Sequence, residues 1–385
     1  MLVRTKEQLA EVCAGLRAAG SFGFDTEFVQ ERNYVPRLGI VQVAAPGIEA
    51  IFDPGAIGTL DPFHELLVDP AVEKVVHSGQ GDFGIFYWRT GKAPTNVFDV
   101  QVAAALVGYG ERLGFGRLVE LVTGKRLAKS ETLTDWTRRP LTPEQIEYAL
   151  DDVRPLAALR AHLGEKLRAL GREEWAREEL RTLEDPASYE RPDPHDLWQR
   201  IRAPGLDGRA LAILRELAAW REEEAMARDV PRGMLAKDDV LVELARHPPT
   251  KQGALRGIRF LDSRTADRCG ADIVAATKRG LEAPPVEVTA FVKDDSPALA
   301  GVVALLDALL RARAQDAQVA PGVIATRAQL ESLAAARGTA PPADLPVLAG
   351  WRRTLAGNDL LALLEGRLRL SLDPATGAVR VEEAG

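Results

Sequence analysis

A chain of 385 residues, 46% hydrophobic and 27% charged, has room for two or three domains with sizeable cores. Its net charge of −7 excludes a histone-like polycation, so any nucleic-acid affinity must come from local basic patches. Cys13 and Cys269 make neither a disulfide framework nor a metal-site spacing, no apolar run reaches membrane length, and the N-terminus lacks a signal-peptide pattern. A cytoplasmic protein is expected.

Thr5–Gln8 reads as a capping box opening an amphipathic helix through Leu9, Val12, Cys13 and Leu16. Three β-type runs follow, at Phe22–Phe28, Leu38–Ala44 and Glu49–Pro54, separated by turn residues. Pro62–Leu67 is a short helix with Asp61 as the expected N-cap. Lys74–His77 is apolar enough for a buried strand. Gly81–Trp88 is then helical, and Asn96–Phe98 is a short strand. From Asp99 the spacing turns helical, with a long stretch from about Thr142 to Leu170 that Pro155 should kink or interrupt. The proline-rich, charged segment 184–196 marks a linker or wrapped connection.

Everything beyond is helical. Leu211, Leu214, Leu217 and Trp220 share one helix face, Pro231–Leu235 forms a turn, a helix begins near Lys237, and Gly270–Ile273 is expected to open another. A repeat is visible: Val230–Ala236 aligns with Val319–Ala325, and Leu241, Leu244 and Ala245 align with Leu330, Leu333 and Ala334 at the same offset. Gly270-x-Asp272-Ile273 matches Gly357-x-Asp359-Leu360 at a slightly different offset. The chain thus divides into an α/β unit (1–183), a linker (184–196) and two helical modules (197–283 and 284–385). The second module carries a Pro/Ala-rich insert at Thr339–Pro346 and ends in a strand-like Leu368–Leu372.

The chemistry-bearing residues are acids. Asp25 and Glu27 stand at i and i+2 on an apolar strand, so both leave one face, roughly 7 Å apart along it. Two adjacent carboxylates on a buried strand repel and resist desolvation, a cost that a divalent cation removes. Asp82 falls in the first turn of the helix after a strand, where α/β sheets place their sites. Tyr148 and Asp152, at i and i+4, share a helix face. Taken one at a time, each has an ordinary reading: surface acids, a helix-start acid, an exposed polar edge. Together they offer four carboxylates and a phenol without a Cys/His cluster. An all-oxygen set suits Mg²⁺ or Mn²⁺ better than zinc, and a pair of such ions suits in-line phosphoryl displacement. Tyr148 could orient the attacking water; a phenol with a pKa of about 10 does so as a hydrogen-bonding group.

These residues resemble the three exonuclease motifs of the DEDD superfamily, tyrosine subtype: Asp25-x-Glu27, Asp82 after His77-Ser78-Gly79, and Tyr148-x-x-x-Asp152. Within it the surrounding stretches Phe28–Gly39, Phe98–Ala104 and Ser130–Gln145 are similar to the ribonuclease D family, and the downstream repeat is similar to its helical HRDC module. The resemblance implies a ribonuclease H-like fold, a mixed five-stranded sheet with helices, followed by two all-α HRDC-like modules, the second divergent. It implies Asp25, Glu27, Asp82 and Asp152 as ligands of two divalent ions, and Tyr148 as the residue that positions the water. The implied activity is removal of nucleoside 5′-monophosphates from RNA 3′ ends, notably in tRNA maturation. The remaining readings are a DNA 3′-5′ exonuclease of the same superfamily and a non-catalytic nucleic-acid-binding module. A monomer is the expected state.

For substrate contacts the sequence offers Phe28 and Tyr34 as base-stacking rings, with Phe83 more naturally a core residue, and Gln101 and Trp136 as cleft-lining candidates. Basic candidates are Lys125, Arg126, Lys129, Arg138 and Arg139 around the cleft, and Lys251, Arg256 and Arg259 on the first helical module.

Overall fold

A computed structural model describes residues 1–30, 33–127, 134–287, 297–342 and 344–384. The N-terminal capping box forms as expected: the Thr5 side chain accepts from the Gln8 backbone and starts α1 (Lys6–Ala19), which buries Leu9, Val12, Cys13 and Leu16. The strands β1 (Leu2–Val3), β2 (Ser21–Val29), β3 (Arg37–Ala45), β4 (Ile48–Phe52), β5 (Glu73–Val76) and β6 (Val97–Asp99) build one mixed sheet in the order β1-β4-β3-β2-β5-β6. The expected five strands are present, and the two-residue β1 adds a sixth at the edge beside β4. β2 lies in the interior, antiparallel to β3 and parallel to β5.

One face of β2 is apolar. Phe22 and Phe24 pack against Phe63 of α2 (Asp61–Leu67), and Phe24 also meets Phe83 and Phe86 of α3 (Gln80–Thr90). The helix α2 starts at Asp61 itself, with Leu60 in the capping position and no side-chain cap, so Asp61 is not the N-cap. The next helices are α4 (Val100–Leu106) and α5 (Phe115–Thr123). The stretch 142–170 divides into α6 (Pro143–Asp151) and α7 (Leu156–Ala169), and Pro155 caps the second. Proline cannot donate to the helical ladder, and its ring clashes with the preceding turn. The helix α8 (Glu173–Glu184) follows, and residues 185–196 wrap back along α3: Tyr189 is buried, its ring lies 5.4 Å from that of Tyr87, and its carbonyl accepts from the Trp88 indole.

The first helical module has its own core. Leu214, Leu217, Leu241, Leu244 and Ile273 meet between α9 (Gly208–Arg228), α10 (Asp238–Arg246) and α11 (Ser263–Glu282). Gly270 does not open a helix, as its motif suggested; it lies inside α11, where a Cβ would come 3.0 Å from Leu255. Its counterpart Gly357 is pressed against the Val347 carbonyl, to which a Cβ would come within 2.3 Å. The repeated glycine therefore marks a close crossing of a helix over a preceding turn in both modules. The second module comprises α12 (Pro297–Asp316), α13 (Arg327–Ala335), α14 (Asn358–Leu364) and the hairpin β7 (Leu368–Leu372) with β8 (Val379–Glu383).

The two modules attach differently. The second shares a continuous core with the α/β unit. Trp351 stacks on Trp175 of α8 at 4.6 Å, its indole donates to Glu179, and Arg352 makes two hydrogen bonds to the same carboxylate. The first module touches the loop after β2 through a polar clasp. The carboxylate of Asp229 accepts from Asn33 Nδ2 and from the backbone N–H groups of Tyr34 and Val35, while the Tyr34 hydroxyl donates to Glu222, which Arg232 also holds.

Candidate active site

The site forms where β2, α3 and α6 converge. Alternation along β2 sends Asp25 and Glu27 to the face opposite Phe24, and the α6–α7 break carries Asp152 to them. One oxygen from each of Asp25, Glu27 and Asp152 lies within 4.8 Å of the others. Asp82 stands beside this trio, not in it. It reaches the site from α3, on the Phe24 side of the sheet, where the hydroxyl of Thr26 donates to its Oδ1. The turn before it is held by Asp99, whose carboxylate accepts from the N–H groups of Ser78 and Gly79 and from the first turn of α4.

Every one of these acids is difficult to ionise. Asp25 is raised well above its usual range, by burial first and then by the charges of Asp82, Asp152 and Glu27. Burial, with Asp152 and Asp82 next, pushes Glu27 up to about 8. Asp152 rises to about 7 through burial and neighbouring Asp151. Asp82 rises to about 6, burial outweighing the Thr26 hydrogen bond that favours its anion. Gln42, fully buried and paired in register with Asp25, donates its Nε2 to Asp25 Oδ2 at 2.9 Å. One amide donor does not offset three neighbouring carboxyls, whereas a divalent cation among them would turn repulsion into coordination. The donor set is oxygen throughout, as a hard divalent ion requires.

Tyr148 sits one turn before Asp152, and its ring lies 5.9 Å from that of Trp136. Trp136 is only 4% exposed, so it faces protein instead of offering a surface to a base. It is seated by a bulge in β3: Glu27 pairs with Ile40 and Phe28 with Leu38, leaving Gly39 over. A Cβ at Gly39 would stand 2.7 Å from Trp136 Cβ and 3.0 Å from the Glu27 carbonyl. Arg139 completes the support with two hydrogen bonds to Asp53 and one to the Gly39 carbonyl, so it is a structural guanidinium. Gly39→Ala is expected to destabilise the fold by about 1–3 kcal/mol and to lower turnover, because Trp136 and with it Tyr148 must shift. Urea unfolding and steady-state rates check the two effects together.

The other candidates have varied surroundings. Phe28 is 37% exposed at the end of β2, and Phe83 is a core residue. Tyr34 is committed through its hydroxyl to Glu222 across the module junction. Gln101 donates to the Leu113 carbonyl at 3.1 Å. Arg126 is paired with Glu120, and Lys125 and Arg138 are exposed. Lys251, Arg256 and Arg259 are exposed on the first module. Lys129, part of Phe28–Gly39 and the start of Ser130–Gln145 lie outside the described residues. The sequence reading missed Thr26, Gln42 and Asp99 as positioning groups. For Gln42 and Asp99 a signal existed: a polar side chain inside an otherwise apolar strand, and an Asp directly before a helix.

The chain is similar to known proteins over its whole length. A family profile described as 3′-5′ exonuclease matches residues 1–168, and one described as HRDC domain matches residues 210–277. Ribonuclease D of Nitrobacter hamburgensis is 39% identical, with 100% of each chain covered. Ribonuclease D of Gluconacetobacter diazotrophicus is 39% identical over 97% of this chain and 95% of its own. Among solved structures, Escherichia coli RNase D, an exoribonuclease involved in structured RNA processing, superimposes with a TM-score of 0.84 at 30% identity, covering 95% of this chain and 98% of its own. The catalytic core of RRP6 from Trypanosoma brucei shares the fold, with a TM-score of 0.58 at 20% identity over 73% of this chain and 79% of its own.

Proposed function

Because the chain belongs to the ribonuclease D family of 3′-5′ exoribonucleases, we propose that Asp25, Glu27, Asp82 and Asp152 hold two divalent ions, Mg²⁺ or Mn²⁺, for release of nucleoside 5′-monophosphates from RNA 3′ ends. The convergence of Asp25, Glu27 and Asp152 within 4.8 Å is the observation that carries this reading. When bound, the ions would activate water and stabilise the leaving 3′ oxygen. The chain's own residues do the rest. Asp25 would help to hold both ions, and Glu27 would help to hold one of them while facing the terminal nucleotide. Asp82 closes the site from α3, and its Thr26 hydrogen bond fixes its orientation. Tyr148 orients the water from one turn before Asp152, with Trp136 behind it. Phe28 and Gln101 border the terminal nucleotide.

In this reading residues 1–183 are the catalytic unit, 184–196 connect it, and 197–283 and 284–385 are an HRDC-like module and a divergent second one. The substrates are tRNA precursors and other structured RNAs with 3′ single-stranded tails, handled in the cytoplasm by a monomer. Among the described residues no helix is long and apolar enough to cross a membrane.

The test is a 5′-labelled RNA with a 3′ single-stranded tail, incubated with Mg²⁺ or Mn²⁺. The expected result is a ladder shortening from the 3′ end and abolished by EDTA. Intact RNA with either metal, alongside shortened DNA of the same sequence, would move the protein to the DNA-directed branch. Tyr148→Phe is expected to lower kcat about 10²-fold while leaving metal affinity, measured by calorimetry, within about twofold. Equal loss of both would make Tyr148 a structural residue.

A further inference from the structure

We propose that the RNA strand upstream of the cleaved nucleotide crosses the junction between the α/β unit and the first helical module, seating a base beside Trp88 and Tyr34 and passing its phosphates over Arg191, Arg200 and Lys237. This rests on the exoribonuclease reading above and extends it to a binding track.

Two cavities adjoin at Arg232. The first, about 460 Å³, is lined by Gln30, Asn33, Tyr34, Trp88 and Arg191 as well as Arg232. Gln30 directly follows the last residue of β2 and stands three residues beyond Glu27, about 10 Å for an extended chain, so one wall of this cavity lies close to the acids. The second, about 600 Å³, is lined by Arg200, Arg221, Arg232 and Lys237 together with Asp238 and Asp239. Arg232 borders both, so a strand that enters the first cavity has a continuous route into the second.

The first cavity is built for a planar group. Trp88 is 41% exposed, yet its ring is fixed by the 2.9 Å hydrogen bond from its indole to the Tyr189 carbonyl. The Arg191 guanidinium lies 5.2 Å from the Trp88 ring and 5.1 Å from that of Tyr34, leaving an aromatic and cationic wall for a base to stack on. Side chains of Gln30 and Asn33 line the same space.

The second cavity is built for phosphate. Most arginines near the catalytic unit are committed: Arg139 to Asp53, Arg154 to Glu147, Arg160 to Glu73. Among the described residues Arg191, Arg200 and Lys237 have no carboxylate partner, and Arg191 donates only to the sulfur of Met226. Arg221 is 7% exposed; one of its terminal nitrogens reaches the Ala236 carbonyl and Asp238, and its Nε has no partner. Glu222 is neutralised by Arg232 and Asp238 by Arg221, which leaves Glu190 and Asp239 as the acids facing these cations. Unpaired cations lining a cleft on a chain of net charge −7 are what a polyanion needs for a local foothold.

The track runs along the side of the module formed by α9, the turn 232–235 and the start of α10. The segment carrying Lys251, Arg256 and Arg259 packs instead against α11 at Gly270. Binding of a 5′-fluorescein single-stranded 12-mer RNA, in EDTA and over a series of KCl concentrations, separates the two. For Arg200→Ala/Lys237→Ala the slope of log affinity against log salt should shrink by about 1.4, about 0.7 for each lost phosphate contact on a single strand. For Trp88→Leu the affinity should fall about tenfold. In metal, the ratio of kcat/KM for the 12-mer to that for a dinucleotide should fall in both variants. Both double-variant positions are exposed and unpaired, so folding is retained, as circular dichroism would check. An unchanged slope, or a loss seen only in Lys251→Ala/Arg256→Ala, overturns the track. Displacement of the 12-mer by millimolar nucleoside 5′-monophosphate would also overturn it, making the cavity a product site. Wild-type protein that fails to shorten RNA at all would instead overturn the exoribonuclease reading, a separate outcome.

Discussion

Asp25→Asn should abolish 3′-nucleotide release, with a loss of about 10³-fold or more in kcat/KM, while leaving the protein folded. The size follows from the charge removed: several kcal/mol of metal-mediated stabilisation, at about 1.4 kcal/mol for each factor of ten. Retention of the fold follows from the surroundings. An asparagine can still accept the amide of Gln42 through its carbonyl oxygen, and the change removes a carboxyl whose ionisation is opposed by burial and by the charges of Asp82, Asp152 and Glu27. The metal-free variant should therefore melt higher than the metal-free wild type. Activity is read from the RNA ladder and stability from thermal melts in EDTA. A variant that keeps more than a tenth of wild-type kcat/KM, or one that melts lower, contradicts the electrostatic account of the site.

The second large effect is a pH-dependent dependence on metal. Glu27, at about 8 in the folded protein against an ordinary 4.5, binds a proton that the unfolded chain has already lost throughout that window. Asp152 does the same up to about 7 and Asp82 up to about 6, and Asp25 is raised in the same direction. The folded state thus holds more protons than the unfolded one, so the unfolding free energy of metal-free protein falls as pH rises from about 4 to 8. Each group contributes up to about 1.4 kcal/mol per pH unit inside its window. His64 works against this slope, because burial lowers its pKa and favours the folded state as pH rises. Asp53 and Glu222 are lowered carboxylates whose contribution is already complete above the ordinary range. The expected result is a Tm in EDTA that drops by several degrees between pH 5 and pH 8, with Mg²⁺ or Mn²⁺ raising it far more at pH 8 than at pH 5. The Asp25→Asn variant should show a shallower slope. A metal-induced rise of equal size at both pH values would mean that the carboxyls are already ionised without metal.

The acids themselves were legible in the chain because their geometry is local. The i, i+2 spacing of Asp25 and Glu27 and the i, i+4 spacing of Tyr148 and Asp152 fix faces before any tertiary structure is known. What holds those faces in place was not legible. The Thr26–Asp82 hydrogen bond requires α3 to pack on the Phe24 side of the sheet, and the Asp53–Arg139 pair joins residues 86 positions apart. Nothing near Tyr34 in sequence announces that Glu222, 188 positions later, holds its hydroxyl. Gly270 read as a helix start because a repeated glycine is a natural boundary signal; its real reason, a close crossing over Leu255, is a tertiary contact. Trp136 had the right neighbourhood, but only the β3 bulge shows that it backs Tyr148.

The shared core between the α/β unit and the last module bears on how the chain is made. Glu179 and Trp351 lie 172 positions apart, with the separately cored first module synthesised between them. At about 5–20 residues per second, the α8 surface around Trp175 leaves the ribosome roughly 10–30 s before the residues that cover it. The nascent catalytic unit thus exposes an indole and the flank of a helix for the whole synthesis of the middle module. That interval defines when a trigger-type holdase would have to act. It also makes a chain halted before Trp351 a candidate for aggregation, even though all five candidate active-site residues are already present.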